Sequence, residues 1–78
     1  MRDKLIESVR SYLQGNIDKH CANLENLLEN HVALAEHPDI IDTIEKELKV
    51  VADFEDKLNV LNKYFIKNLQ KDSEVLHG

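Results

Sequence analysis

Tryptophan is absent from this chain, and the residues that punctuate or staple a fold are scarce: one Pro, two Gly and one Cys in 78 residues. Each shortage removes a class of protein. A lone Cys21 cannot close an internal disulfide, so a disulfide-stapled secreted scaffold is excluded and a reducing, cytoplasmic setting is expected. No apolar run approaches the roughly 20 residues that a membrane span needs. Met1-Arg2-Asp3-Lys4 leads into amphipathic sequence, not into the apolar block of a secretory leader. Basic charge is also in short supply, at ten Lys and Arg against fifteen Asp and Glu, and the net charge of −5 argues against a general nucleic-acid binder.

What remains is 42% hydrophobic and 32% charged, rich in Leu, Ile, Glu and Lys, which reads as helical and folded rather than disordered. Seventy-eight residues make one domain, near the size at which a single core is marginal. The one strong break is His37-Pro38-Asp39. Proline lacks an N–H and clashes with a preceding helical turn, so a helix must stop near Glu36 and another can begin with Pro38 in its first turn. The expectation is an all-α, two-helix antiparallel hairpin forming a single domain over residues 1–78. The first helix covers about 3–35, the turn 36–38, the second helix about 38–71, and a fraying tail 72–78.

In the first stretch the apolar side chains fall at Ile6, Val9, Leu13, Ile17, Leu24, Leu28 and Val32. Their spacing repeats at eleven residues, with Ile6, Ile17 and Leu28 sharing one position and Leu13, Leu24 and Ala35 another, the period of a nearly straight helix. Gly15 costs about 1 kcal/mol relative to Ala mid-helix, and the helix is expected to run through it. The second stretch is more regular. Ile44, Val51, Leu58 and Phe65 recur every seven residues, with Ile40, Ile41, Leu48, Phe54 and Leu61 beside them. Asp42–Lys46, Glu45–Lys49 and Asp53–Lys57 are acid-then-base pairs four apart, each expected to add a few tenths of a kcal/mol.

Charge is unevenly spread. Residues 16–59 hold four Lys against eleven acids, whereas the two ends carry Arg2, Lys4, Arg10, Lys63, Lys67 and Lys71 against Asp3, Glu7, Asp72 and Glu74. A hairpin brings those ends together, mildly basic at the open end and acidic toward the turn. Its apolar faces are wider than one seam covers: Tyr12, Leu27, Leu34, Phe54 and Leu61 would stay partly exposed, and such patches mark association surfaces. The expected solution is a homo-oligomer, a symmetric dimer forming a four-helix bundle, with a larger helical oligomer as the alternative. Self-association is expected through Ile17, Leu24, Leu28, Ile44, Leu48, Val51, Phe54, Leu58, Leu61 and Phe65.

Chemistry finds little to stand on. His20, Cys21, His31 and His37 include zinc-ligand types, but His20 and His31 are eleven residues apart, roughly 16 Å along one helix, so one helix cannot bring both to one ion, and the remaining candidate is a site between subunits at a dimer axis near His20 or His31. A half-buried His20 or His31 is a candidate pH switch, because protonation near pH 6 would oppose association. Cys21 reads as a small core residue. Ser8, Ser11 and Ser73 lack a nearby His–acid arrangement for nucleophilic catalysis. The acids Asp39, Asp42 and Glu45, and the cluster Asp53, Glu55 and Asp56, invite comparison with all-α nucleotide pyrophosphohydrolases. The Glu-x-x-Glu pairs those enzymes use for Mg²⁺ are missing, and the only Glu-x-x-Asp, Glu36 to Asp39, contains the proline. Sporulation phosphatases share the hairpin plan, yet their Ser-Gln-Glu-Leu-Asp signature would fall on Glu55-Asp56-Lys57-Leu58-Asn59, where only the Leu matches.

The run Glu36-His37-Pro38-Asp39-Ile40-Ile41, continuing through Glu45-Lys46-Glu47-Leu48 and Asp53-Phe54-Glu55-Asp56-Lys57-Leu58 to Tyr64-Phe65, resembles short uncharacterised proteins of T4-like marine cyanophages. The resemblance covers about half the chain. It implies a phage origin and a host-cytoplasm setting, and it transfers no activity. The functional expectation is a non-enzymatic structural or protein-interaction module, with no cofactor or metal expected: a phage accessory protein acting through a helical-bundle surface on a protein partner or on itself. The alternative is a metal-dependent enzyme handling phosphates or nucleotides through the acidic cluster.

Overall fold

The computed structural model describes residues 1–29 and 39–66. It contains two α-helices, α1 (Arg2–Glu29) and α2 (Ile40–Phe65), packed against each other along their length. His20 reaches Glu47, and Tyr12, eight residues earlier, reaches Phe54, seven residues later. Partners that climb one helix while descending the other define an antiparallel hairpin. The shortest dimension of the molecule is 14 Å, one layer of helices. Among the described residues no helix is long and apolar enough to cross a membrane. The expected turn at 36–38, the end of the first helix at 30–35, the end of the second at 67–71 and the tail lie outside the described residues, as do His31, Val32, Leu34, Ala35, His37, Lys67, Lys71 and Ser73.

Helix α1 runs without a break through Gly15, which has no positive φ and leaves open space where a Cβ would sit. Helix α2 starts at Ile40, two residues later than the proline suggested. Asp39 occupies the cap position, and it is the Asp39 carbonyl, not the carboxylate, that accepts the Thr43 N–H at 3.0 Å and the Thr43 hydroxyl at 3.3 Å. Asp42 supplies the carboxylate in the first turn, where it meets the positive end of the helix dipole.

The packed face of α1 keeps the eleven-residue spacing at Leu13 and Leu24 and at Ile6 and Ile17, and departs from it at Leu28. Leu13 and Leu24 are buried, and Ile6, Ile17, His20 and Leu27 are half-buried, while Val9 and Leu28 are exposed. Positions 6, 13, 20 and 27 step by seven, and 17 and 24 fill the alternate position. This is the seam of two helices packed with knobs in holes. On α2 the matching rows are 44, 51 and 58 with 40, 47, 54 and 61, all buried or half-buried. Glu47, not Leu48, holds the seam position, and Leu48 is turned outward. Phe65 continues the first row but is exposed, because the register sets it level with the beginning of α1. Among the described residues the interior consists of Leu13, Leu24 and Ile40, with no side chain wholly enclosed.

The exposed charges pair differently from expectation. Lys49 donates to Asp53 at 2.9 Å, and Lys57 lies over the Phe54 ring at 5.4 Å. These choices replace Glu45–Lys49 and Asp53–Lys57, and Asp42–Lys46 makes no ion pair within 4 Å. The Lys57 ammonium over the ring face is attracted by the ring quadrupole. On α1, Arg10 binds Glu7, which raises the pKa of the guanidinium through the hydrogen bond and then through charge attraction.

Two outcomes follow. Gly15→Ala should raise the thermal midpoint by several degrees, corresponding to about 1 kcal/mol, since the added methyl meets nothing and removes unfolded-state freedom. The second concerns acid. The Lys49 hydrogen bond, followed by the Lys49 charge, holds the Asp53 carboxyl below its usual range. A depressed folded-state pKa adds stability above the ordinary carboxylate pKa, near 3.9, and this is lost as pH falls through the folded value. Asp53→Asn should therefore flatten the fall of the urea midpoint below about pH 4 and leave its slope between pH 6 and 8 unchanged.

Candidate functional site

Helical geometry divides the surface of this flat hairpin into two unlike sides. At 3.6 residues per turn, Leu5, Val9 and Tyr12 lie along the flank of α1 that carries Tyr12 toward Phe54. Val50, Phe54, Leu61 and Tyr64 lie along the facing flank of α2. In an antiparallel pair those flanks share one broad side. Leu5, Val9, Tyr12 and Tyr64 are exposed there, and Val50, Phe54 and Leu61 are half-buried. The opposite side carries Glu7, Arg10, Gln14, Asp18, Cys21, Glu55 and Asn59, all exposed, together with the exposed apolar residues Leu28, Ile41 and Leu48.

An aromatic cluster sits at the centre of the apolar side. Tyr12 meets Phe54 edge-on, with centroids 6.2 Å apart and planes at 75°. His20 stacks on the same ring at 6.1 Å and 19°. Edge-to-face and offset arrangements suit the ring quadrupole and hold the three rings to one geometry. Lys57 completes the surround from above the Phe54 face, and Lys63 makes a similar contact with Tyr64 at 5.2 Å. Beneath the cluster, His20 Nδ1 lies 2.5 Å from Glu47 Oε2, and the two side chains retain only 17% and 22% of their accessible surface. A carboxylate only accepts, so Nδ1 carries the hydrogen and donates.

The ten residues expected to mediate self-association separate on inspection. Leu24 is spent inside the hairpin. Ile17, Ile44, Val51 and Leu58 are half-buried in the α1–α2 seam, and Phe54 and Leu61 stand at its edge on the apolar side. Leu28 and Leu48 are exposed on the other side, and Phe65 is exposed at the open end. Spacing along the chain missed Leu5, Val9 and Tyr64 as members of the apolar side, although Leu5, Val9 and Tyr12 at steps of four and three carried the signal. Nothing in the sequence marked Glu47 as the partner of His20.

The other candidates are placed apart. Cys21 is exposed, because its helical position faces away from α2, so it is not the core residue expected. At the basic end, Arg2 pairs with Asp3 and Arg10 with Glu7. Asp39, Asp42, Glu45, Asp53, Glu55 and Asp56 are all exposed along α2. Among the described residues no group of three His, Cys, Asp or Glu side chains converges as a metal site would require. The pH-switch expectation for His20 concerned association between chains; within the hairpin, His20 lies against Glu47. No protein-family model, curated protein or solved structure matches this chain.

Phe54 is the residue on which this surface converges. Phe54→Ala should lower the stability by about 2 kcal/mol, a half-buried aromatic's share, seen as a lower urea midpoint with unchanged slope. Phe54→Leu keeps much of the apolar area but loses the ring contacts, and should cost about 1 kcal/mol.

Proposed function

We propose that this chain is a non-enzymatic structural module that works by packing against a second copy of itself, two hairpins closing into a four-helix bundle as a symmetric dimer. The observation that carries this reading is the imbalance between interior and surface. Three residues are buried among those described, whereas Leu5, Val9, Tyr12 and Tyr64 stand exposed around Phe54 and Leu61 on one side of the layer. A core of that size supports a 78-residue chain poorly, and small domains of this kind gain stability by association.

A second copy fits better than an unrelated partner for two physical reasons. The deficit belongs to the fold itself, so its remedy must be present whenever the chain is, and another copy always is. The surface is also a flat pair of antiparallel helices, which packs on its own likeness at about 20° with ridges in grooves. Among the described residues, the acid at the seam beside this surface, Glu47, is engaged by His20, so that carboxylate would not be desolvated unpaired.

Sedimentation equilibrium provides the test. The wild-type chain should sediment at twice its 9.0 kDa mass at about ten micromolar. Leu5→Glu with Val9→Glu should reduce that to the single-chain mass, since both side chains are exposed in the hairpin and would be buried in the bundle. Ile41→Glu with Leu48→Glu, on the opposite side, should leave the dimer intact. A wild-type monomer at that concentration overturns the proposal.

A further inference from the structure

Helix α2 has a nearly complete coiled-coil seam. Ile40, Ile44, Val51, Phe54, Leu58, Leu61 and Phe65 fill seven of its eight alternating positions between 40 and 65, and the eighth is Glu47. A carboxylate in the middle of such a row weakens any pairing that leaves it facing apolar side chains. Helix α1 has the complementary interruption, His20, in the row otherwise formed by Ile6, Leu13 and Leu27. The two meet at 2.5 Å, each about four-fifths removed from water, and Phe54 holds the imidazole plane in place.

We propose that the His20–Glu47 pair is the specificity element of this fold: it makes α2 select α1 and fixes the register in which they pack. A slip of one heptad would leave Glu47 facing the Leu13 or Leu27 level and His20 facing Ile40 or Phe54, so both polar groups would lose their partner. Pairing α2 with another α2 would set Glu47 in an apolar row without an imidazole, and pairing α1 with α1 would do the same to His20. Only the native α1–α2 register satisfies both. A single polar layer that selects partner and register, while lowering stability relative to an all-apolar seam, is an established property of coiled coils.

The inference concerns pairing within one chain and does not depend on the dimer. It is tested with spin labels on Cys21 and on Asn59→Cys, both exposed and on the side away from the aromatic cluster. Labelled chain diluted in excess unlabelled chain restricts the measured distance to one molecule. The native pair should give one narrow distance. His20→Leu with Glu47→Leu should melt at a higher temperature yet add distances displaced by about 10 Å, the axial length of one heptad. A double-leucine chain that keeps the single native distance overturns the assignment. A second arm covers the case in which that variant aggregates. Exchanging the pair, His20→Glu with Glu47→His, should restore the single distance, whereas His20→Glu alone, setting carboxylate against carboxylate, should not. A His20→Glu chain with the native distance likewise overturns it.

Discussion

Two helices lying side by side share one line of contact, and the rest of this structure depends on that limit. Each helix carries an apolar stripe broader than a single neighbour can cover, because a stripe suited to a globular core spans about 100° or more while a two-stranded seam takes the narrower strip at alternating positions. The seam of this hairpin uses its centre well, burying Leu13, Leu24 and Ile40. It cannot reach the flanks. One flank of each helix therefore falls on the same broad side, and Leu5, Val9, Tyr12 and Tyr64 remain in water there. The proposed dimer is the consequence of that geometry, and it needs no special recognition chemistry beyond a flat apolar surface with its central acid already paired.

Inside the seam, the polar layer and the aromatic cluster form one unit. Glu47 contacts the His20 imidazole, the imidazole stacks on Phe54, and Phe54 and Tyr12 meet in a T-shaped contact. Apolar burial alone is indifferent to a shift of one heptad, since one Leu replaces another at the same depth. Hydrogen bonding is not indifferent, because each group has one partner at one height. The pair thus adds direction to a contact that would otherwise be supplied by non-directional forces, and the cost is a gap in an otherwise continuous apolar row.

The hairpin was legible in the chain to different depths at different residues. Ile44, Val51 and Leu58 repeat at seven and do occupy the seam, and the helix does continue through Gly15 as expected. The neighbouring row was read one residue off, at Leu48 instead of Glu47, because a hydrophobicity pattern assigns an apolar residue to the interior whenever one is adjacent. In α1 the eleven-residue spacing was numerically real, but the packed row runs 6, 13, 20, 27 and includes a histidine that no apolar template would accept. Lysine partners were misread for a related reason. Lys49 and Lys57 each had a carboxylate four residues before them, and each took something else, a carboxylate on the other side or an aromatic ring.

By itself the sequence determined what is local: two helices, since periodicity and the scarcity of breakers act within a few turns. Tertiary structure decided what is relative. Which flank is covered, which acid enters the seam and which rings meet all depend on the rotation of one helix about its axis and its height against the other. A rotation of some tens of degrees or a slip of one residue changes those outcomes while leaving every local preference satisfied, so only the packed pair, with His20 set against Glu47, contains the information.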